Sequence, residues 1–187
     1  MLMLASFAAL GQAPNQGDLL IADASITDPN FEKSVLLVLR NDENGTLALL
    51  INRPTALEAA ETFPEITALE DYPGRLYYGG PVLPTRLLLL LRDPPTELAD
   101  SPAVVDGVFL NGSPETITQL GTWAKDDSAL RVYAGHAAWG PGQLQDEIAE
   151  GSWRVVDGRA DLVFSKTPLE LWERASTLGS ELAVMAR

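Results

Sequence analysis

The stretch YAGHAAWGPGQLQDEIAEGSW, residues 133–153, contains the sharpest changes of local structure in this 187-residue chain. Its first seven residues complete a predicted β-strand that ends at Trp139. The Gly-Pro-Gly turn at 140–142 then reverses the chain, and a helix begins at Gln143. Gly151 can adopt the left-handed conformation that ends a helix, and a new strand follows it. The segment therefore predicts a strand, a helix and a strand joined by tight turns.

The predicted helix has one apolar face and one polar face. Leu144 and Ile148 are four residues apart and are predicted to face the core. Asp146 and Glu147 lie in the first turns, where negative charge complements the helix dipole. The four polar residues predicted to face water are Gln145, Asp146, Glu147 and Glu150.

Outward from this segment, the chain alternates apolar runs with turn residues. Asn44-Gly45 favours a hairpin turn, because both residues tolerate positive φ. Pro54 cannot donate a ladder hydrogen bond, so it is predicted to end its strand, with short helical turns over 55–69. The other predicted strands are 17–22, 34–40, 46–52, 75–81, 85–92, one or two within 104–112, 131–139, 153–156 and 161–164.

Two further helices have cap signals. Ser113-Pro114 opens one, and the capping-box pattern of Thr167, Pro168 and Glu170 opens the last, with Leu171, Trp172, Ala175 and Leu178 inward. Residues 1–16 are predicted to be an N-terminal helical extension or linker. These elements predict an α+β fold: one domain over 1–187 with a large mixed, mainly antiparallel β-sheet and a few packed helices.

Composition excludes several function classes. The net charge of −13, from 26 acidic and 13 basic residues, disfavours direct DNA binding, which draws on clustered Lys and Arg. The absence of cysteine and the single histidine leave few ligands for a transition metal. We therefore expect no cofactor and no metal, with a carboxylate site for Mg²⁺ or Ca²⁺ as the alternative that the composition leaves open. The N-terminus has no basic residue before Lys33 and no apolar run of spanning length, so a cytoplasmic protein without membrane contact is predicted.

Catalytic candidates are sparse. His136 lies mid-strand between small residues and could act as a general base, but the pattern favours a partly buried histidine held by a backbone carbonyl. Asp28, followed by Pro29, could be a base, but aspartate here typically forms a turn with the next backbone amides. No nucleophile elbow, phosphate-binding loop or zinc-hydrolase motif is present.

An anion-binding site is the more specific prediction. Asn52 and Arg53 come at a strand end, and a guanidinium can hold a carboxylate or phosphate with two hydrogen bonds. Gly79 and Gly80 follow another strand, and their amides could surround an anion. Arg86 is close in sequence. If these strand ends meet, the five residues form a ligand site; each also has a purely structural reading.

Several ordered motifs give the chain a resemblance to a known family. GDLLIAD, DPNFEKSV (28–35), INRP (51–54), YYGGPV (77–82) and AWGPGQLQDEI followed by GSW resemble the YqgE/AlgH family of bacterial proteins, from Gly17 to about Phe164. The resemblance implies one α+β domain, and the AlgH name implies transcriptional regulation. His136, Ala138 and Gln145 depart from the family pattern, which weakens a catalytic claim for His136 and an acidic site at Gln145.

The sequence therefore favours a non-enzymatic regulatory protein that binds a small anionic ligand or a protein partner. The alternative is a hydrolase acting on an anionic small molecule, with Asp28 or His136 as base and Arg53 holding the charge. Direct nucleic-acid binding would require Arg53, Arg75, Arg86, Arg92 and Arg131 to converge on one face.

Overall fold

The computed structural model describes residues 13–96, 103–111, 123–124 and 126–177, whose strands form one ten-stranded sheet. The strands are β1 (Leu19–Ala22), β2 (Val35–Asp42), β3 (Gly45–Leu50), β4 (Pro54–Glu58), β5 (Arg75–Tyr78), β6 (Val82–Arg92), β7 (Ala103–Val105), β8 (Val108–Asn111), β9 (Leu130–Trp139) and β10 (Trp153–Val156). The helices are α1 (Ala59–Thr62), α2 (Gln143–Ala149), α3 (Ala160–Val163) and α4 (171–177). Short 3-10 turns span Thr67–Leu69 and Pro168–Glu170.

The sheet is mixed and mainly antiparallel, which confirms the predicted α+β class. The strand order is β10-β1-β2-β3-β9-β6-β8-β7, with β5 pairing to both β4 and β9. The pairing of β5 with β9 is parallel, whereas every other pairing in the described sheet is antiparallel. No helix in the described part of the chain is long and apolar enough to cross a membrane.

Strand β2 explains why both faces of the sheet are covered. Its residues Val35–Leu39 are all buried, and successive side chains point to opposite faces. Val35 and Leu37 pack in a cluster with residues of α3 and α4, whereas Leu36 and Val38 pack in a second cluster with Leu144 of α2. The continuous apolar run was therefore correctly interpreted as a strand buried on both sides.

Strand β9 joins the two halves of the sheet. One edge of β9 pairs with β6. The other edge is shared: residues 132–134 pair with β5, and residues 137–139 pair with β3. The change of partner falls at Gly135 and His136, within the segment 133–153.

The prediction for Pro54 was wrong. Pro54 does not end a strand but begins β4, which pairs with β5 through Pro54 and Tyr77. A proline is tolerated as the first residue of a strand, because its missing N–H then costs no ladder bond. Helical structure in the predicted range 55–69 is limited to α1 and the turn at Thr67–Leu69.

The predicted strand at 161–164 was also wrong, because α3 occupies this position. A run of three apolar residues after Asp161 does not distinguish a strand from a buried helical turn. Leu162, Val163 and Phe164 are all buried in the same cluster, so packing and not periodicity determines the conformation.

The last helix forms without the predicted cap. Thr167 makes no side-chain cap hydrogen bond, and a 3-10 turn precedes α4. Leu171 and Ala175 are buried as predicted, and Trp172 packs against them. The predicted helix at Ser113 and most of the predicted extension over 1–16 lie outside the described residues, as does Leu178.

Candidate functional site

The stretch at 133–153 is architectural. Glu147 was predicted to face water, but its Oε2 accepts hydrogen bonds from Nε1 of Trp139 at 2.9 Å and of Trp153 at 2.8 Å. The two indole rings meet edge to face, with centroids 5.9 Å apart, and Phe31 packs against both. One carboxylate therefore fixes α2 to the two strands that flank it.

Gly79 and Gly80 lie where the segment that follows β5 passes close to the backbone of β9. A Cβ at Gly79 would overlap the carbonyl oxygen of Gly135, and one at Gly80 would overlap the backbone of His136. The amide of Gly79 donates to Ala134 O at 2.8 Å, and its carbonyl accepts from Leu50 N at 2.9 Å. Because these glycines have no side chain, the two backbone segments can approach closely. The amide N–H of Gly79 already donates a hydrogen bond and is not free to bind an anion.

Asn52 and Arg53 bond to the loop that precedes β2. Buried Asn52 accepts from Val35 N at 2.9 Å and donates to Lys33 O at 2.9 Å. Arg53 Nη2 donates to Glu32 O. Both side chains therefore hold residues 32–35 in place, and for Arg53 this bond to a carbonyl agrees with its structural reading.

Asp28 belongs to the same loop. Its Oδ1 accepts from Asn30 N at 2.8 Å, which is the turn predicted from the sequence, and from Asn30 Nδ2 at 3.1 Å. The side chain of His136 is buried and forms no hydrogen bond within the part of the chain described. Neither residue is paired with a nucleophile, so the hydrolase alternative gains no support.

Burial lowers the pKa of His136, and the exposed guanidinium of Arg86 lowers it further. The unfolded chain therefore binds this proton at a higher pH than the folded chain does. The stability that neutral His136 contributes is fully present above the ordinary histidine pKa of about 6.5, and it is lost as the pH falls from there through the lower pKa of the folded state. We expect the urea midpoint to fall between pH 7 and pH 5, and to fall less steeply in His136→Gln.

Urea denaturation of both proteins at pH 7, 6 and 5 checks this expectation. The comparison uses the slope of the urea midpoint against pH. A loss of stability caused by the glutamine that does not depend on pH therefore does not affect it. Parallel slopes in the two proteins would show that other groups cause the pH dependence.

A cavity of about 630 Å³ opens at the other end of β9, where the parallel strands β5 and β9 begin. Leu76 pairs with Val132, so Arg75 and Arg131, each one residue earlier, lie side by side near the starts of neighbouring strands. The turn at 126–128 and the loop at 164–170 complete the wall. Both arginines line this cavity.

Arg131 is buried, with an exposed fraction of 2%. Its Nε donates to Asp127 O at 3.3 Å, Nη1 to Val163 O at 2.8 Å and Nη2 to Ser165 O at 2.6 Å. The guanidinium also lies over the rings of Tyr77 and Phe164, 4.9 and 5.2 Å from their centroids. No carboxylate of the described residues lies within 4.0 Å of it. A buried cation without a close counter-ion is costly.

The nearby carboxylate of Asp127 is engaged elsewhere. Oδ1 accepts from Tyr72 Oη at 3.0 Å and from Arg75 N at 3.2 Å, and Oδ2 accepts from Tyr77 Oη at 3.4 Å. Burial, and secondarily Asp127, raises the pKa of Tyr72. Burial also raises the pKa of Tyr133 against the lowering effect of the neighbouring Arg131 guanidinium, and its hydroxyl makes no hydrogen bond of ordinary geometry with a described residue. These phenols are therefore neutral at pH 7 and do not compensate the charge of Arg131.

Two exposed cations stand at the rim of the cavity. The side chains of Arg75 and Lys166 line it and form no ion pair with any residue that the structure describes. Three cations without a close carboxylate thus surround one cavity in a chain with twice as many acidic as basic residues. Sequence reasoning missed this site, although Arg131 is a charged residue near the start of a mostly apolar strand, which was the available signal.

The five arginines considered for nucleic acid do not act together. Arg131 is buried and unavailable to a phosphate backbone, and Arg92 lies 3.7 Å from the carboxylate of Asp93. Nor do the described ranges contain a group of three or more His, Asp or Glu side chains that could hold a metal ion.

The sheet and its cavity define a class: an α+β protein with a mixed sheet covered by helices, and with a pocket lined by two arginines where two parallel strands begin. Residues 19–182 match the AlgH-like family, and the chain belongs to that family. This agrees with the resemblance found in the sequence motifs.

Relatives of known sequence cover nearly the whole chain. A UPF0301 protein of Streptomyces avermitilis is 36% identical over 179 residues, which are 91% of this chain and 90% of that protein. A UPF0301 protein of Myxococcus xanthus is 36% identical over 176 residues, covering 90% of this chain and 94% of that protein.

Two solved structures share the fold. The solution structure of the AlgH protein from Pseudomonas aeruginosa superposes with a TM-score of 0.70 at 23% identity, over 99% of this chain and 97% of that chain. A crystal structure of a protein from Corynebacterium diphtheriae has a TM-score of 0.71 at 24% identity, over 88% of this chain and 87% of that chain.

Proposed function

We propose that this AlgH-like protein acts by binding a small anionic ligand, without catalysis, and that this binding has a regulatory role. The observation that supports the proposal is Arg131: a buried guanidinium that lines an open cavity and has no close carboxylate among the described residues. An anionic ligand would supply the missing counter-charge, and such a contact is strongest where water is excluded.

The surface predicted from the sequence remains a second place for a ligand. Asn52, Arg53, Gly79, Gly80 and Arg86 are retained as that prediction, although most of their polar groups already bond to the protein. Arg86 is the exception, because its side chain is exposed. The cytoplasmic location likewise stays a prediction.

Thermal-shift screening against a library of anionic metabolites, nucleotides and metal ions tests the binding function. A ligand that binds only the folded state raises the melting temperature, by an amount that grows with its concentration above Kd. We expect at least one anionic compound to stabilise the protein and to remain chemically unchanged on long incubation. A stabilising compound that the protein converts to product would indicate an enzyme, and a library with no stabilising compound would contradict the proposal.

A further inference from the structure

We infer that the cavity around Arg131 takes a small organic molecule with one carboxylate and an apolar body; this inference rests on the proposed binding function and names its ligand class. The carboxylate bonds to the guanidinium of Arg131. The apolar body packs against the aromatic and aliphatic wall beside it.

The hydrogen-bond inventory of Arg131 points to a carboxylate. A guanidinium has five N–H groups: one on Nε and two on each terminal nitrogen. The three backbone carbonyls that accept from Arg131 bond to three different nitrogens, so one N–H on Nη1 and one on Nη2 remain beyond these bonds, next to the buried hydroxyl of Tyr133. Two oxygens of one carboxylate match two free N–H groups on one guanidinium.

The charges around the cavity limit the ligand to a single negative charge. Arg75 and Lys166 at the rim attract an anion, but Asp126, Asp127 and Glu170 also line the cavity. These carboxylates oppose a phosphate monoester, which carries nearly two negative charges at neutral pH. A monocarboxylate meets the buried cation without that repulsion.

The apolar part of the cavity wall favours a ligand with an apolar body. Pro54, Tyr77, Phe164, Pro168 and Leu169 line the cavity together with the polar groups. Leu169 has an exposed fraction of 72%, the largest of the three exposed large hydrophobic residues in the part of the chain described. A volume of about 630 Å³ lies in the range of small-molecule sites, roughly 300–1,000 Å³.

Benzoate is the probe for this inference. Isothermal titration and amide NMR spectra compare it with benzamide, which has nearly the same shape and no charge, and with inorganic phosphate. We expect benzoate to shift the amide signals of Tyr77, Ser165 and Thr167 and to bind at least about tenfold more tightly than benzamide, since a hydrogen bond to a charged group has roughly this effect.

Three variants locate the binding. Arg131→Lys keeps a charge but loses the two-pronged contact, and we expect benzoate affinity to fall about tenfold or more. Because Arg131 is buried and this variant can fail to fold, Arg75→Gln/Lys166→Gln changes only exposed rim charges, with an expected loss of roughly three- to tenfold. Arg86→Gln, an exposed arginine of the other predicted surface, is the matched control and is expected to bind normally.

The outcomes separate this inference from the binding function. Equal affinity for benzoate and benzamide, or a loss confined to Arg86→Gln, would overturn the inference. Tighter binding of phosphate than of benzoate at the same amide signals would refute the ligand class and leave the binding function intact. If no anion shifts these signals while the library screen finds a ligand, the site is wrong and the function stands.

Discussion

Replacing Gly80 by alanine is expected to lower the free energy of unfolding by about 3 kcal/mol or more. Gly80 has a φ of +147°, which disfavours any residue with a Cβ, and the added methyl would overlap the backbone carbon and oxygen of His136. Backbone atoms cannot rotate away as a side chain does, so β9 must shift from its neighbours. Urea denaturation followed by tryptophan fluorescence measures the loss.

Gly142→Ala is the matched control for this prediction. Gly142 also has a positive φ, +80°, but nothing lies within 4 Å of the position that its Cβ would take. Its cost is therefore limited to backbone strain, about 1–2 kcal/mol. If the two variants lose the same stability, the close crossing at Gly80 is not the cause, and strain alone explains both.

The second large effect is expected at Glu147. Glu147→Ala leaves the indole N–H groups of Trp139 and Trp153 buried without an acceptor, and each such group costs about 1–3 kcal/mol. We expect a combined loss of about 2–4 kcal/mol, together with a change in tryptophan emission, because both rings lose the same partner.

Glu147→Gln tests whether the hydrogen bonds cause this effect. Its side-chain carbonyl oxygen has two lone pairs and can accept from both indoles, so we expect it to retain more than half of the stability lost in Glu147→Ala. Glu150→Ala, an exposed neighbour on the same helix, is expected to change little. An alanine variant at 147 as stable as the wild type would disprove the role of the carboxylate.

The elements that were predictable from the sequence are those with strong local signals. Val35–Leu39 is an unbroken apolar run, Gly45 completes a hairpin turn with a φ of +113°, and α2 begins at Gln143 as the Gly-Pro-Gly turn indicates. The short apolar segment at 161–164 has no such signal. Its conformation depends on packing with residues far away in sequence, which a local pattern does not contain.

The candidate site was less predictable than the fold, for a topological reason. Arg75 and Arg131 are 56 positions apart in the sequence and meet only because β5 and β9 pair in parallel. Asn52, Arg53, Gly79 and Gly80 have motif-like local sequences, and the structure places these residues where two segments cross or where a loop is held. The local motifs therefore drew attention to these residues but did not predict the crossing, and the cavity depends on long-range pairing.

The divided edge of β9 also determines when a newly made chain can complete its sheet. Strands β3, β5 and β6 are all synthesised before residues 130–139, and each needs β9 as a neighbour. Until then the nascent polypeptide carries three open edges, and open edges are templates for association between chains. Biosynthesis of this protein thus includes an interval of exposure to aggregation that ends only when its ninth strand emerges.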